Sequence, residues 1–242
     1  MGEMLFDYRD VLAAGDRGLI SEALAEIGKA GYDLYLPAIR DGGRLDSAHG
    51  DLEAWVGASL LRGSDLGPDA FLAKHFKARK QMRRLRAAGA DFARYHGDSS
   101  ALVRWVYARK AEQFACASVD IFSDPLRQRC MVDIARASGS HCDVFTIEFG
   151  SATVAALLTF RDKGVRRFYT IWHDVRWDEF SPGIVLLLHA CHESLGEGLD
   201  VDFLTGEQPH KTRFATGRVQ LYRLRAAAAR LASATAALPL AA

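Results

Sequence analysis

No stretch of the 242-residue sequence stays apolar long enough to cross a membrane. The longest strongly apolar run, Ile184 to Leu188, falls far short of the roughly 20 residues a spanning helix needs, so no membrane insertion is expected. Net charge is equally scarce: 31 Lys and Arg stand against 30 Asp and Glu. No overall field draws the chain toward nucleic acid, lipid or acidic ligands, and any such preference must come from a local patch. The four cysteines (Cys116, Cys130, Cys142, Cys191) form no Cys-x-x-Cys pair and follow no signal-peptide pattern. Reduced core or near-core thiols in a cytoplasmic protein are the expectation. Gly-x-Ser-x-Gly, Walker and His-Glu-x-x-His motifs are missing, which removes the commonest hydrolase and nucleotide-hydrolase readings. His189, His192 and Glu193 share helical spacing without a third ligand cluster, so a solvated helix end outweighs a metal site and no metal is expected.

What is present is an ordinary globular composition, 49% hydrophobic and 25% charged, in a length that suits one large domain or two small ones. Leu19, Ala23 and Ile27 predict a helix from about Gly18 to Lys29 with that stripe buried. Tyr32 to Ile39 alternates as a strand, stopped by Asp41-Gly42-Gly43, and Leu52 to Leu61 is expected to be a helix. This section has too few strands for a sheet of its own. Phe71 to Ala88 predicts one long helix carrying Lys74, Lys77, Arg79, Lys80, Arg83, Arg84 and Arg86 with no acid from Ala70 to Ala90. A solvated bridging helix outweighs an anionic partner such as RNA there.

From Ala90 the order of elements becomes informative. A strand at Asp91 to Tyr95 precedes a helix capped by Ser99 and running to about Phe114, then a helix from Asp124 with Pro125 at its first position and Gly139 as its stop. Three strands, Asp143 to Phe149, Thr153 to Arg161 and Val165 to His173, are joined by tight turns as an antiparallel meander. Ser181-Pro182-Gly183 opens an apolar helix to about Leu195, with the serine as N-cap, and its free amides point outward beside a glycine with no side chain to block an incoming anion. Strand Leu199 to Leu204 follows and should lie parallel to the third meander strand, opening a crevice at the switch from antiparallel to parallel pairing. A last strand, Gly217 to Leu224, and an alanine-rich helix from Ala226 to about Ala237 complete the chain.

This succession, with Ser-Pro-Gly at the helix start, Gly198-x-x-x-Asp202-Phe203-x-x-Gly206 and Lys211, resembles the GNAT acyltransferases. Within them it is similar to the subfamily associated with bacterial cellulose biosynthesis, a tandem-GNAT group related to the peptidoglycan aminoacyltransferases. The resemblance implies an α/β fold: a GNAT-like mixed sheet flanked by helices over 90–225, a basic connecting helix at 71–89, an incomplete second GNAT-like lobe at 1–70 and a helical tail at 226–242. It implies acyl transfer from acetyl-CoA or another acyl-CoA to an amine or hydroxyl of a small molecule, sugar or cell-envelope precursor. The backbone of Gly183, Ile184 and Val185, beside Ser181, matches the segment that cradles the donor's diphosphate. The family's usual Arg/Gln-x-x-Gly-x-Gly/Ala loop is reduced here to one glycine.

Acyl transfer needs a held thioester or ester, a proton acceptor and donors aimed at the developing oxyanion. Tyr169 and His173 are the polar candidates on the third meander strand, set against a plain aromatic core strand. Asp202 and Lys211 are expected to order the loop Thr205 to His210 and orient the acceptor, with Glu207 or His210 taking the proton; a purely structural clamp weighs about equally. Two other readings stand beside this one: a non-catalytic binding or assembly protein on the same fold, and a transferase whose donor is an aminoacyl-tRNA held by the basic helix 71–88.

Overall fold

The structure, a computed structural model, describes residues 17–40, 45–116, 121–137 and 141–233. The turn Asp41-Gly42-Gly43, the stop at Gly139 and the tail beyond residue 233 lie outside them. In chain order the elements are α1 (Arg17–Lys29), β1 (Leu34–Arg40), β2 (Asp51–Leu61), α2 (Pro68–Lys74), α3 (Phe76–Ala87), β3 (Asp91–His96), α4 (Ser100–Phe114), α5 (Pro125–Ala137), β4 (Cys142–Phe149), β5 (Ala152–Asp162), β6 (Val165–His173), a 3-10 turn (Val175–Phe180), α6 (Pro182–Gly196), β7 (Asp200–Thr205), α7 (Pro209–Phe214), β8 (Gly217–Ala226) and α8 (Ala228–Ser233). This is an α/β fold built on a mixed sheet flanked by helices. It divides into two compact units, a larger one of Ser59–Leu204 with Gln208–Gly217 and a smaller one of Met1–Ala58, Thr205–Glu207 and Arg218–Ala242.

In the larger unit β3, β4, β5 and β6 pair antiparallel in sequence, β7 joins β6 in parallel, and the end of β2 pairs antiparallel with β7. The turn between β5 and β6 places Lys163 at φ 50° and Gly164 at φ 79°. Two consecutive left-handed residues match the twist of the strands they join, which is why a short hairpin forms there. Ile171 of β6 packs against the core cluster that includes Val185 and Leu188 of α6, while its neighbour Trp172 meets Trp105 of α4 edge-on at 5.0 Å. Adjacent strand residues face opposite sides, so α4 and α6 cover opposite faces of the sheet.

Nine residues of α6 are buried. At about 1.5–3 kcal/mol for each fully buried large aliphatic side chain, this outweighs the ~1 kcal/mol that a side-chain cap contributes. The helix therefore tolerates an uncapped start. Ser181 occupies the cap position with left-handed angles (φ 50°, ψ 55°) and makes no side-chain cap bond, contrary to the role its sequence position suggests. Ser99 likewise does not cap α4: its Oγ lies against Cys142 Sγ at 3.7 Å, and Asp98 Oδ1 accepts the Ser100 amide instead.

Four further expectations are corrected. Residues 51–61 form a strand, because an extended neighbour can impose its conformation on helix-forming residues when pairing and burial reward it. The buried stripe of α1 is Ile20, Leu24 and Gly28, one position on from the expected Leu19, Ala23 and Ile27. Gly28 sets this register: a Cβ there would lie 2.4 Å from the Ala232 nitrogen of α8, so only glycine lets the two helices touch. Phe71 to Ala88 is two helices broken at His75, and Phe76 beyond the break is exposed. His189 is not at a solvated end: it packs edge-on against Phe92 and Phe145, and burial pushes its pKa down to about 4. Cys142 and Cys191 are buried, whereas Cys116 is exposed.

Candidate functional site

β6 and β7 pair only through Val165–Asp200, Arg166–Val201 and Arg167–Asp202. From Phe168 onward β6 continues to His173 with no register partner on β7, so the two strands part. Asp202 stands at the parting. It is fully buried, and its Oδ1 accepts the Leu204 amide at 2.8 Å. A carboxylate binding an amide two residues ahead offers the backbone an alternative to ladder pairing, and Leu204 duly takes φ 61° at the strand end. For a branched side chain that angle costs about 1–2 kcal/mol.

At the open end of β6, His173 Nε2 lies 3.0 Å from Asp178 Oδ1, and its ring covers the first turn of α6. A Cβ on Gly183 would come within 3.1 Å of His173 Nδ1, so a side chain there would press on the imidazole. Of the three expected amide donors, Val185 is already committed, to the Ser181 carbonyl at 3.1 Å. The amides of Gly183 and Ile184 make no hydrogen bond among the described residues. They carry the positive end of a 15-residue helix dipole.

A cavity of about 350 Å³ opens at this helix start, bounded by Ser181, Ile184 and Val185 and by Lys77, Lys80, Arg84 and Arg213. Lys77, Lys80 and Arg84 recur every three or four residues and so form one stripe of α3. Arg84 is held in place: it bonds Gln81 Oε1 at 2.9 Å and stands over the Phe180 ring at 5.2 Å. No carboxylate lines the cavity, and none of its four cations takes part in an ion pair among the described residues. Four cations and a helix N-terminus around an acid-free hollow favour an anion.

The structure therefore brings Ser181, Ile184 and Val185 to one cavity and sets His173 against Gly183. It does not bring Tyr169 there. Tyr169 is the extra residue of a bulge, between the pairs Leu158–Thr170 and Thr159–Phe168, and its hydroxyl meets that of Tyr107 of α4 at 3.2 Å. Burial first, then Tyr169, drives the Tyr107 pKa upward, so that hydroxyl stays protonated. Glu207 belongs to the smaller unit, where Arg218 Nη2 stands 2.5 Å from its carboxylate. His210 is half-buried on α7, and burial, then Lys211, lowers its pKa, leaving it neutral with a nitrogen able to accept. The Lys211 amide donates to the Gln208 carbonyl at 2.9 Å in the same short helix. Sequence reasoning missed Arg213, two residues beyond Lys211, and His75 at the helix break. The one sequence signal was that each adjoins a phenylalanine, Phe76 and Phe214.

Residues 74–212 match the acetyltransferase (GNAT) domain family, and the chain belongs to that family. No curated protein matches the sequence. Solved structures share its fold, among them the following three. The DUF2156 C-terminal domain of a candidate lysylphosphatidylglycerol synthetase from Agrobacterium fabrum has a TM-score of 0.66 at 11% identity, covering 90% of this chain and 75% of that one. A conserved protein of unknown function from Bacteroides thetaiotaomicron gives 0.64 at 9%, covering 88% and 76%. L-PGS from Bacillus licheniformis gives 0.62 at 10%, covering 85% and 72%. Among the described residues no group of His, Cys, Asp and Glu could hold a metal ion, and no helix is long and apolar enough to cross a membrane.

Proposed function

We propose that the protein transfers an acyl group from acetyl-CoA or another acyl-CoA to an amine or hydroxyl of a small molecule, sugar or cell-envelope precursor. The observation that carries this reading is the acid-free cavity at the start of α6, where Ser181, Ile184 and Val185 meet Lys77, Lys80, Arg84 and Arg213, next to the unbonded amides of Gly183 and Ile184. A diphosphate held there would leave the thioester to run between the parted strands. The acceptor nitrogen or oxygen attacks the thioester carbonyl, loses its proton to a neutral base, and the CoA thiolate leaves and is protonated. His210, uncharged at neutral pH, is the base we favour. Asp202 acts on the backbone, setting the bend at Leu204, with Lys211 ordering the following loop.

The finer family placement, among the cellulose-associated GNAT proteins of the bacterial cytoplasm, rests on Gly198-x-x-x-Asp202-Phe203-x-x-Gly206. Its two glycines hold φ 72° and 96°, angles that other residues rarely take, which gives the motif a backbone reason. Titration calorimetry with acetyl-CoA tests the donor. Micromolar affinity together with a raised unfolding temperature is expected; no heat at millimolar ligand would end the reading.

A second donor is favoured by one observation. Arg83 and Arg86 leave α3 exposed on sides that do not line the cavity, and α3 contains no acid. An RNA-borne aminoacyl group suits such a surface, and one structure of the same fold carries a name built on lysylphosphatidylglycerol. RNA retention that falls steeply with salt, and is lost on replacing Lys77, Arg79 and Arg83 by Ala, would select this donor.

A further inference from the structure

The break between α2 and α3 falls at His75, with φ −103° and ψ 43°. The imidazole is flanked by Phe71 and Phe214, with ring centroids at 4.7 and 4.8 Å. It is 9% exposed, and its buried Nε2 has no hydrogen-bond partner. Buried polar atoms are normally bonded, so one left without a partner beside a cavity points to a missing ligand. Such a cavity exists, about 100 Å³ in volume, lined by Lys74, His75, Lys77 and Arg213. That exceeds the roughly 10–15 Å³ that a single water needs, so a small tetrahedral oxyanion has room there.

Lys77, Ala78 and Arg213 line this cavity and also the larger one at α6, so the two hollows share a wall. Neither contains a carboxylate. Lys74 and Lys77 precede and follow the break by one and two residues, and the break is what turns both toward the same hollow as Arg213. Burial first, then Lys74 and Arg213, lowers the His75 pKa to about 4. The ring is thus neutral and keeps one N–H to donate, while the three cations supply the attraction.

We propose that the cavity at the α2–α3 junction is a second phosphate subsite, which reads a monophosphate carried on the same donor whose diphosphate lies at the start of α6. This rests on the acyl-CoA reading above and sharpens it. CoA carries a diphosphate and, on the adjoining ribose, a separate 3′-phosphate. Two adjacent acid-free hollows, one larger and one smaller, match that pair of groups. Dephospho-CoA would fill only the first.

The test compares CoA with dephospho-CoA by titration calorimetry on the full chain, in wild type and in Lys74→Gln/Arg213→Gln, both surface positions. Wild type is expected to prefer CoA by about tenfold or more, the scale of a charge-assisted contact. In the double variant the two affinities should converge through loss of CoA binding. Adenosine 3′,5′-bisphosphate should also displace CoA from wild type better than ADP does, a measurement that needs no variant. Equal wild-type affinities for CoA and dephospho-CoA would overturn the second subsite and leave the acyl-CoA reading standing. A preference that survives in the double variant would overturn the assignment to these residues, and binding of neither ligand would overturn both.

Discussion

The two ends of α6 are both surrounded by cations, and they differ in what those cations touch. At the C-terminal end Arg94, Arg161 and Arg166 converge on Asp143 and Glu197: Arg166 Nη2 stands 2.9 Å from Asp143 and 3.2 Å from Glu197, and its Nη1 donates to Ser194 at 3.1 Å. His96 Nδ1 adds a fourth contact, 2.6 Å from Asp143. Arg166 and Asp143 are both fully buried, which is tolerable only because each charge is surrounded by opposite charge. At the N-terminal end Lys77, Lys80, Arg84 and Arg213 face a cavity without an acid. The difference separates charge used to hold the fold from charge available to a ligand. It makes opposite predictions for substitutions at each end.

The largest effect is expected from Asp143→Ala, which leaves three arginines, buried Arg166 among them, to share the single carboxylate of Glu197. Urea unfolding should show a loss of about 3–5 kcal/mol, and a loss under about 1 kcal/mol would mean the C-terminal cluster is no structural anchor. Removing Lys77, Lys80 and Arg84 together should leave stability within about 1 kcal/mol, while acetyl-CoA affinity drops by roughly two orders of magnitude and loses most of its salt dependence. A fall in stability comparable to that of Asp143→Ala would erase the contrast. Gly183→Val, whose branches would strike His173, should weaken acetyl-CoA about tenfold with a smaller change in unfolding temperature; unchanged affinity would move the diphosphate elsewhere.

The smallest effect concerns pH. His75 and His189 are both held near 4, well below the ordinary histidine value of 6.5. Protons therefore bind the unfolded chain first, so their contribution is fully present above pH 6.5 and is lost as pH falls toward 4. Replacing His189 by Gln should flatten the stability profile in that window by about 1 kcal/mol per pH unit, and an identical slope in both proteins would show that His189 is not held neutral.

The meander, α6 and β7 were legible because strong periodicity and local punctuation coincide there. Pro182 opens the helix, Lys163-Gly164 turns the hairpin, and Val165 to His173 begins and ends where the strand does. Where tertiary contacts override local preference, the reading fails. Leu52 to Leu61 is rich in helix formers with Val56 alone branched at Cβ, yet Leu60 and Leu61 pair with Asp202 and Val201. The register of α1 depends on Gly28 meeting α8, about two hundred residues further along the chain. The same limit applies to the site. The Ser-Pro-Gly start marked the cavity, but the bulge that turns Tyr169 toward α4 depends on a partner distant in sequence, and the pairing of Glu207 with Arg218 on how the chain returns after α7.

Amide chemical shifts followed during titration with acetyl-CoA test the central claim most directly. The account predicts that the Gly183 and Ile184 resonances are among the largest to move and that they saturate with the ligand. Saturable binding that leaves both amides where they were would contradict it.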